Sequence, residues 1–322
     1  MSRRMSRQIR LLAGVLTLVI VIAACGGDDD EKSTGAGDKP KLSGTIRVDG
    51  SSTVAPLSEA AAERFQKENS GVQVTVGTSG TGGGFEKFCN GETDISDASR
   101  PIKQSEKDAC AAKGVKYEEL TVANDGLAVV VSPQNTWAKC LTVEQLKKVW
   151  APESKLANWK EVDPSFPDEK LALFGAGTDS GTFDYFTEAV NGKEGASRTD
   201  YSPSENDNDT VNGVAGTKGG MGYMGLSYVE ENKGKLKAVA VNGGSGCVEP
   251  NTQTVQANTY KPLGRPLFIY PKADSLKRPE VQAFVRSYVT EALEIAEDAR
   301  FIPMTEQQKT QALAKVESLL AS

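Results

Sequence analysis

Phe174–Phe186 reads F-G-A-G-T-D-S-G-T-F-D-Y-F. An apolar run, Leu171–Phe174, enters a Gly/Thr/Asp/Ser turn, and an amphipathic stretch, Thr182–Val190, leaves it. That is the pattern of a strand, a tight turn and a helix. Ser180, between an acid and a glycine, reads either as a nucleophile or as a helix cap. The chain has no histidine. This removes Ser-His-Asp and Cys-His catalysis and every His-containing metal site. No S-x-x-K occurs to supply a lysine base, so the cap is the better reading.

Working outward, the same alternation continues. Strands are predicted at Thr45–Val48, Val72–Val76, Tyr117–Val122, Leu127–Val131, Leu171–Phe174, Met221–Tyr223, Leu236–Val241 and Pro266–Tyr270. Helices are predicted at Ala55–Glu68, around Phe85 and Phe88, and at Ser105–Lys113, Val143–Trp150, Thr182–Val190, Pro279–Ala296 and Thr305–Leu319. Alternation of this kind predicts an α/β architecture with helices on both faces of the sheets. The length of 322 residues allows two domains. No internal repeat and no Pro/Ser linker marks a boundary between them.

The first ten residues carry Arg3, Arg4, Arg7 and Arg10 and no acid, and residues 11–24 are one apolar run. Fourteen residues are short for a membrane span and suit a signal-peptide core. The run ends I-A-A-C, with small residues directly before Cys25, as in a bacterial lipobox. Residues 1–24 are therefore expected to be a signal peptide, and Cys25 the lipidated first residue of the mature protein. Residues 25–41 have no large apolar side chain and form a tether. Without the four leader arginines, 33 basic residues face 43 acidic ones, a net charge of −10. Such acidity argues against a nucleic-acid partner. Cys89, Cys110, Cys140 and Cys247 remain, an even number in an exported chain. Three connectivities exist, of which Cys89–Cys110 with Cys140–Cys247 is favoured.

Three polar turns each follow a strand and precede a helix: D-G-S-S-T-V-A-P (49–56), T-S-G-T-G-G-G-F (78–85) and G-T-D-S-G-T-F (177–183). A helix start leaves backbone N–H groups unpaired and carries partial positive charge. Glycine admits a ligand close to the backbone, and Ser and Thr add uncharged donors. One such end is an ordinary capped helix; several converging would hold an oxyanion. The glycine run is followed by Phe85 and Glu86, so it is no P-loop. A fourth segment, D-I-S-D-A-S-R-P-I (94–102), offers the guanidinium of Arg100.

In this order, and with G-G-M-G-Y-M-G-L-S-Y (219–228), the segments resemble the phosphate-binding lipoproteins that serve the high-affinity phosphate ABC transporter. The resemblance runs from about Gly44 to the last helices. It implies a two-lobed periplasmic-binding-protein-like (type II) fold with a hinge and an interlobe ligand cleft. One lobe would comprise residues 42–130 and 255–322, the other 131–254. It implies a monomeric, lipid-anchored extracytoplasmic receptor that binds inorganic phosphate and delivers it to transmembrane permease subunits, with no cofactor, metal or catalytic residue. The phosphate ligands carried over are Ser52, Thr53, Thr81 (or Ser79), Ser99, Arg100, Ser180, Gly181 and Thr182.

Two positions depart from the best-studied branch of the family. There an aspartate accepts the proton of hydrogen phosphate and so excludes sulfate; here Ser99 stands in its place. An arginine four residues before the second-lobe serine is here Ala176. Arg100 is the candidate to replace that charge. Asp179, ahead of Asp97 and Asp125, is the candidate acceptor. The alternatives are a receptor for another tetrahedral oxyanion, or an exported serine hydrolase using Ser180.

Overall fold

The computed structural model describes residues 41–320. The leader, Cys25 and the tether up to Pro40 lie outside the described residues. The chain begins β1 (Gly44–Gly50), α1 (Ala55–Glu68), β2 (Val72–Gly77), α2 (Gly80–Cys89), β3 (Ile95–Ala98), α3 (Gln104–Ala112) and β4 (Leu120–Val131). It continues β5 (Cys140–Thr142), α4 (Val143–Trp150), α5 (Trp159–Val162), β6 (Ala172–Ala176), α6 (Gly181–Asn191), β7 (Ser202–Ser204), α7 (Asp207–Gly216), β8 (Gly220–Gly225) and α8 (Leu226–Glu231). It ends β9 (Lys237–Asn242), β10 (Cys247–Val248), α9 (Thr252–Gln256), β11 (Gly264–Pro271), α10 (Pro279–Thr290), α11 (Ala292–Asp298) and α12 (Glu306–Leu320).

The strands pair in the order β2-β1-β3-β11-β4-β8-β6-β7, with β9 also on β4. β1, β2 and β3 run parallel, and β11 lies antiparallel between β3 and β4. β4 is the strand common to both halves. It pairs with β11 from Leu120 to Gly126 and with β8 from Leu127 to Val131. Its residues are buried almost throughout, as expected of a strand covered on both faces.

Two large apolar cores result. Ile46, Leu57, Phe65, Leu120, Val122, Leu267, Ile269 and Phe284 belong to one. Leu127–Val131, Trp150, Phe186, Tyr223, Val239 and Leu263 belong to the other. The chain passes between them at Asn124–Gly126 of β4 and Gly264–Pro266 of β11. Residues 127–131, together with Val255, Tyr260 and Leu263, pack in the second core.

Three expectations change. The predicted strands 117–122 and 127–131 are one strand. Asn124-Asp125-Gly126 looks like a turn in sequence, but pairing with β11 carries it through as strand. The glycines of G-T-G-G-G do not precede α2 but form its first turns. Gly84 packs directly against the Cα of Gly50, an approach that any side chain would block. The predicted helix 279–296 is interrupted at Glu291. Both favoured disulfides are present, Cys89–Cys110 and Cys140–Cys247.

Gly50 closes β1 and opens the first polar turn. Its φ is +151°, and a Cβ there would run into the backbone of Asp97 on β3. Gly50→Ala combines strain with overpacking and is expected to cost about 2–4 kcal/mol of unfolding free energy. Chemical denaturation of the two proteins checks this; an unchanged midpoint would contradict it.

Candidate functional site

The first two polar turns converge because parallel β1, β2 and β3 end side by side. The Ser51 N–H donates to the Asp97 carbonyl (3.0 Å), tying the first turn to the end of β3. The Asp49 carboxylate accepts from the Ser79 N–H (3.1 Å), the Ser79 hydroxyl and Lys87 Nζ (2.7 Å). Burial opposes the Asp49 charge, but these donors outweigh it and hold its carboxyl below the usual range. This fixes the start of α2 and leaves Gly80 and Thr81 bordering a cavity. The Thr81 and Ser99 hydroxyls lie 3.1 Å apart, and the Ser99 N–H donates to Thr81 Oγ1 (3.2 Å).

The cavity is small and lies between the two cores. Ser51, Ser52, Thr53, Gly80, Thr81 and Ser99 form one wall. Asp184, Tyr185, Glu188 and Glu194 form the opposite wall, and Arg265 joins the two. Four of the predicted ligand residues, Ser52, Thr53, Thr81 and Ser99, are thus brought together.

The third turn arrives from the other lobe. Phe186 of α6 stacks on Tyr223 of β8, with ring centroids 3.7 Å apart, and so fixes the helix end. Ser180 is its N-cap: its hydroxyl oxygen accepts from the Thr182 N–H (3.1 Å). Its hydroxyl is occupied as a cap would be. Gly181 abuts Thr53; a Cβ on it would lie 3.2 Å from Thr53 Oγ1. Thr182 lines a neighbouring cavity beside Asp125 rather than this one.

Two of the expected residues lie off the cavity wall. Arg100 is not on the cavity wall. Its guanidinium forms a two-pronged pair with Glu106, at 2.7 and 2.9 Å, and donates to the Pro101 carbonyl. An acid six residues away, at the start of α3, captures it. Asp179 is exposed, its N–H faces Glu205 Oε1 (3.3 Å), and it does not line the cavity. Of the other named acids, Asp97 lies beneath the cavity, fully buried, and Asp125 is paired with Arg265.

Arg265 is the residue that sequence reasoning missed. It sits on β11 directly opposite Asp125 of β4, at the passage between the lobes. Its Nε faces Asp125 Oδ2 (3.4 Å), and its Nη2 donates to Thr53 Oγ1 (3.1 Å). Its guanidinium lies over the Tyr185 ring, 3.3 Å from the centroid. The Tyr185 hydroxyl donates to the Pro262 carbonyl (2.8 Å), which fixes the ring. The signal in sequence was a lone arginine opening the apolar run P-L-F-I-Y. Asp184 and Glu188 were also missed. Their i,i+4 spacing on an amphipathic helix puts them on one face.

The chain can be compared with known proteins on this geometry. The family model described as a PBP superfamily domain matches residues 35–291. Protein SphX of Synechococcus elongatus is 48% identical over 276 residues, 85% of this chain and 81% of that protein. The phosphate-binding protein PstS of Staphylococcus epidermidis is 40% identical over 292 residues, 89% of this chain and 86% of that one. The chain belongs to the PstS-type family. The solved structure of "a possible phosphate binding protein" from Planctomyces limnophilus superposes with a TM-score of 0.84 at 48% identity, covering 87% of this chain and 99% of that one. The two-lobed periplasmic-binding fold follows from family and structure together.

In this PstS-type chain a buried acid, Asp97, lies against the first turn. Both carboxylate oxygens of Asp97 are buried without a hydrogen-bond partner among the described residues. Burial pushes its carboxyl up to about 8; Ser58 offsets part of this, and Asp49 and Glu59 add to it. The folded value lies above the unfolded one, so folding takes up a proton. This contribution to stability is full below the usual carboxylate range and is lost as pH rises toward about 8. Asp97→Asn should flatten that part of the stability profile, measured by denaturation at a series of pH values. A variant profile parallel to that of the parent would contradict the assignment.

Proposed function

We propose that this protein is an extracytoplasmic solute receptor that binds inorganic phosphate between its lobes and delivers it to an ABC permease. The observation that carries the reading is the small cavity between the two cores, lined by Ser and Thr hydroxyls and the guanidinium of Arg265. A small oxyanion needs many short donors and little net positive charge. The phosphate-binding names of its relatives support the same ligand. The receptor catalyses no reaction of its own and needs no cofactor or metal.

In this reading Ser52, Thr53, Thr81 and Ser99 donate from the first lobe, with Arg265 in place of Arg100 as the nearest cation. Ser180, Gly181 and Thr182 supply the end of α6, which presses on Thr53 as the lobes meet. The first lobe comprises residues 42 to about 125 and about 265 to the C-terminus, the second the residues between. The single long strand β4 and its partner β11 are the hinge. The net charge of −10 does not prevent binding, because distant charge is screened within about 8–10 Å. It does mean that long-range steering adds little to the association rate.

The anchor is Cys25, lipidated after removal of residues 1–24. No helix among the described residues is long and apolar enough to cross a membrane. Cys25→Ser is expected to release the protein from membranes into the soluble fraction on cell fractionation. Retention on the membrane would remove the lipid anchor from the proposal.

Calorimetric titration of the purified, ligand-stripped protein with inorganic phosphate tests the ligand. Binding is expected in the micromolar range or tighter. Arg265→Gln should weaken it about 100-fold, the worth of a charge-assisted contact. Arg100→Gln should weaken it much less, because Glu106 already holds that guanidinium. Equal losses would return Arg100 to the site, and absence of phosphate binding by the parent protein would end the reading.

A further inference from the structure

β4 and β11 are not alone in touching both cores. The connection between α11 and α12 does so without passing from one lobe to the other. Ile295 and Ala296 before it, and Ala312 and Val316 after it, belong to the first core. Phe301 packs against that core too, yet its neighbour Ile302 belongs to the second. The backbone gives the reason. The Ile302 N–H donates to the Asn124 carbonyl (3.0 Å), and the Asn124 N–H donates to the Ile302 carbonyl (2.8 Å), on the side of β4 away from β11. Gly126 leaves room for the Ile302 side chain: a Cβ there would lie 3.3 Å from Ile302 Cδ1 and 3.6 Å from Leu226 Cδ2.

Two residues earlier, the same connection grips α8. The Ser227 hydroxyl donates to the Arg300 carbonyl (2.7 Å). The Arg300 guanidinium stands 5.0 Å from the centre of the Tyr228 ring and 3.4 Å from Glu231 Oε2. Arg300 has a φ of +60°, in the left-handed region that glycine adopts freely and arginine does not. A residue stays in such a conformation when its surroundings hold it there. Here the carbonyl and the side chain of Arg300 both contact one helix.

Resting on the receptor reading above, we propose that the 299–302 connection is a strap between the lobes, with Ser227 and Arg300 as positioning residues, and that it holds the closed form in which phosphate is bound. The lobes meet across the cavity in this structure: Gly181 abuts Thr53, and Arg265 joins the two walls. The strap is made in that arrangement. Ser227, Tyr228 and Glu231 ride with the second lobe and Arg300 with the first, so rotation about β4 and β11 draws them apart. None of the four lines the phosphate cavity. The strap therefore acts on affinity through the closed fraction, because a ligand that needs the closed form binds in proportion to it. Its two links are unequal. The ion pair with Glu231 is half-exposed and weak, whereas the Ser227 bond holds the backbone itself.

The test is phosphate binding by the full, ligand-stripped protein, with calorimetry for affinity and stopped flow for release. Ser227→Ala is expected to weaken phosphate about fivefold, chiefly through faster release. Ser227→Thr, which keeps the hydroxyl, should restore the parent values. Arsenate affinity should fall by the same factor, because the strap touches no ligand. Should the alanine variant fail to fold, Glu231→Lys sets like charges together at an exposed site and should speed release about twofold, more at low salt than at high. Unfolding of the ligand-free proteins is followed alongside. A contact that only props the fold would lower the unfolding midpoint and leave release unchanged; that result would overturn the strap and leave the phosphate receptor standing. So would tighter binding by Ser227→Ala, which would put the contact in the open form. No phosphate binding by the parent would overturn both.

Discussion

The pairing of Arg265 with Asp125 lies where the two cores and the cavity meet. The two residues face each other across β11 and β4, where the chain passes from one core to the other. A guanidinium buried this far needs a counter-charge, and Asp125 provides it at 3.4 Å. The remaining fork of the arginine is then free for Thr53 in the first lobe, and its flat face for Tyr185 in the second. One side chain thus touches the paired strands that pass between the cores and both walls of the cavity. Lysine could not do this, because it has neither the planar face nor the second edge.

Around that pair, the two walls of the cavity are chemically unlike. The wall from the first lobe is made of hydroxyls and helix-start amides, held in place by β1, β2 and β3 ending together. Its donors carry no formal charge, so they can be crowded without repulsion. The wall from the second lobe is acidic and belongs to α6. Its N-terminus is capped by Ser180 and its body is held by Phe186 on Tyr223. The serine that looks like a nucleophile in sequence therefore orders the helix that carries the acids.

Much of the scaffold was legible. α1 was bounded correctly because Leu57, Ala61 and Phe65 recur at helical spacing and Asn69 ends the run. Strands such as β1 and β9 showed themselves as short apolar runs between turns. Errors fell where neighbours outvoted local preference. Asn124-Asp125-Gly126 has turn composition, yet β11 on one side and the backbone of Ile302 beside Asn124 on the other hold it extended. α7, with D-N-D-T-V-N-G-V-A-G, has too few apolar residues for periodicity to stand out, and packing against β6 and β8 completes it.

The sequence by itself determined the alternating α/β order, the absence of histidine chemistry, the favoured cysteine pairs and the polar turns before the helices. These are local properties of spacing and composition. It also carried four of the residues that line the cavity: Ser52, Thr53, Thr81 and Ser99. Which charges face the cavity was decided only by tertiary structure. Arg100 and Arg265 are both arginines beside a proline, and nothing local tells them apart. Glu106, six residues along, captures the first. The second is brought to Thr53 from more than two hundred residues away. Asp179 and Asp184 differ by little more than one turn of chain, yet one points to solvent and the other borders the cavity, because α6 begins between them. Electrostatic partnership depends on distance in space, which only the closed sheet and its two cores establish.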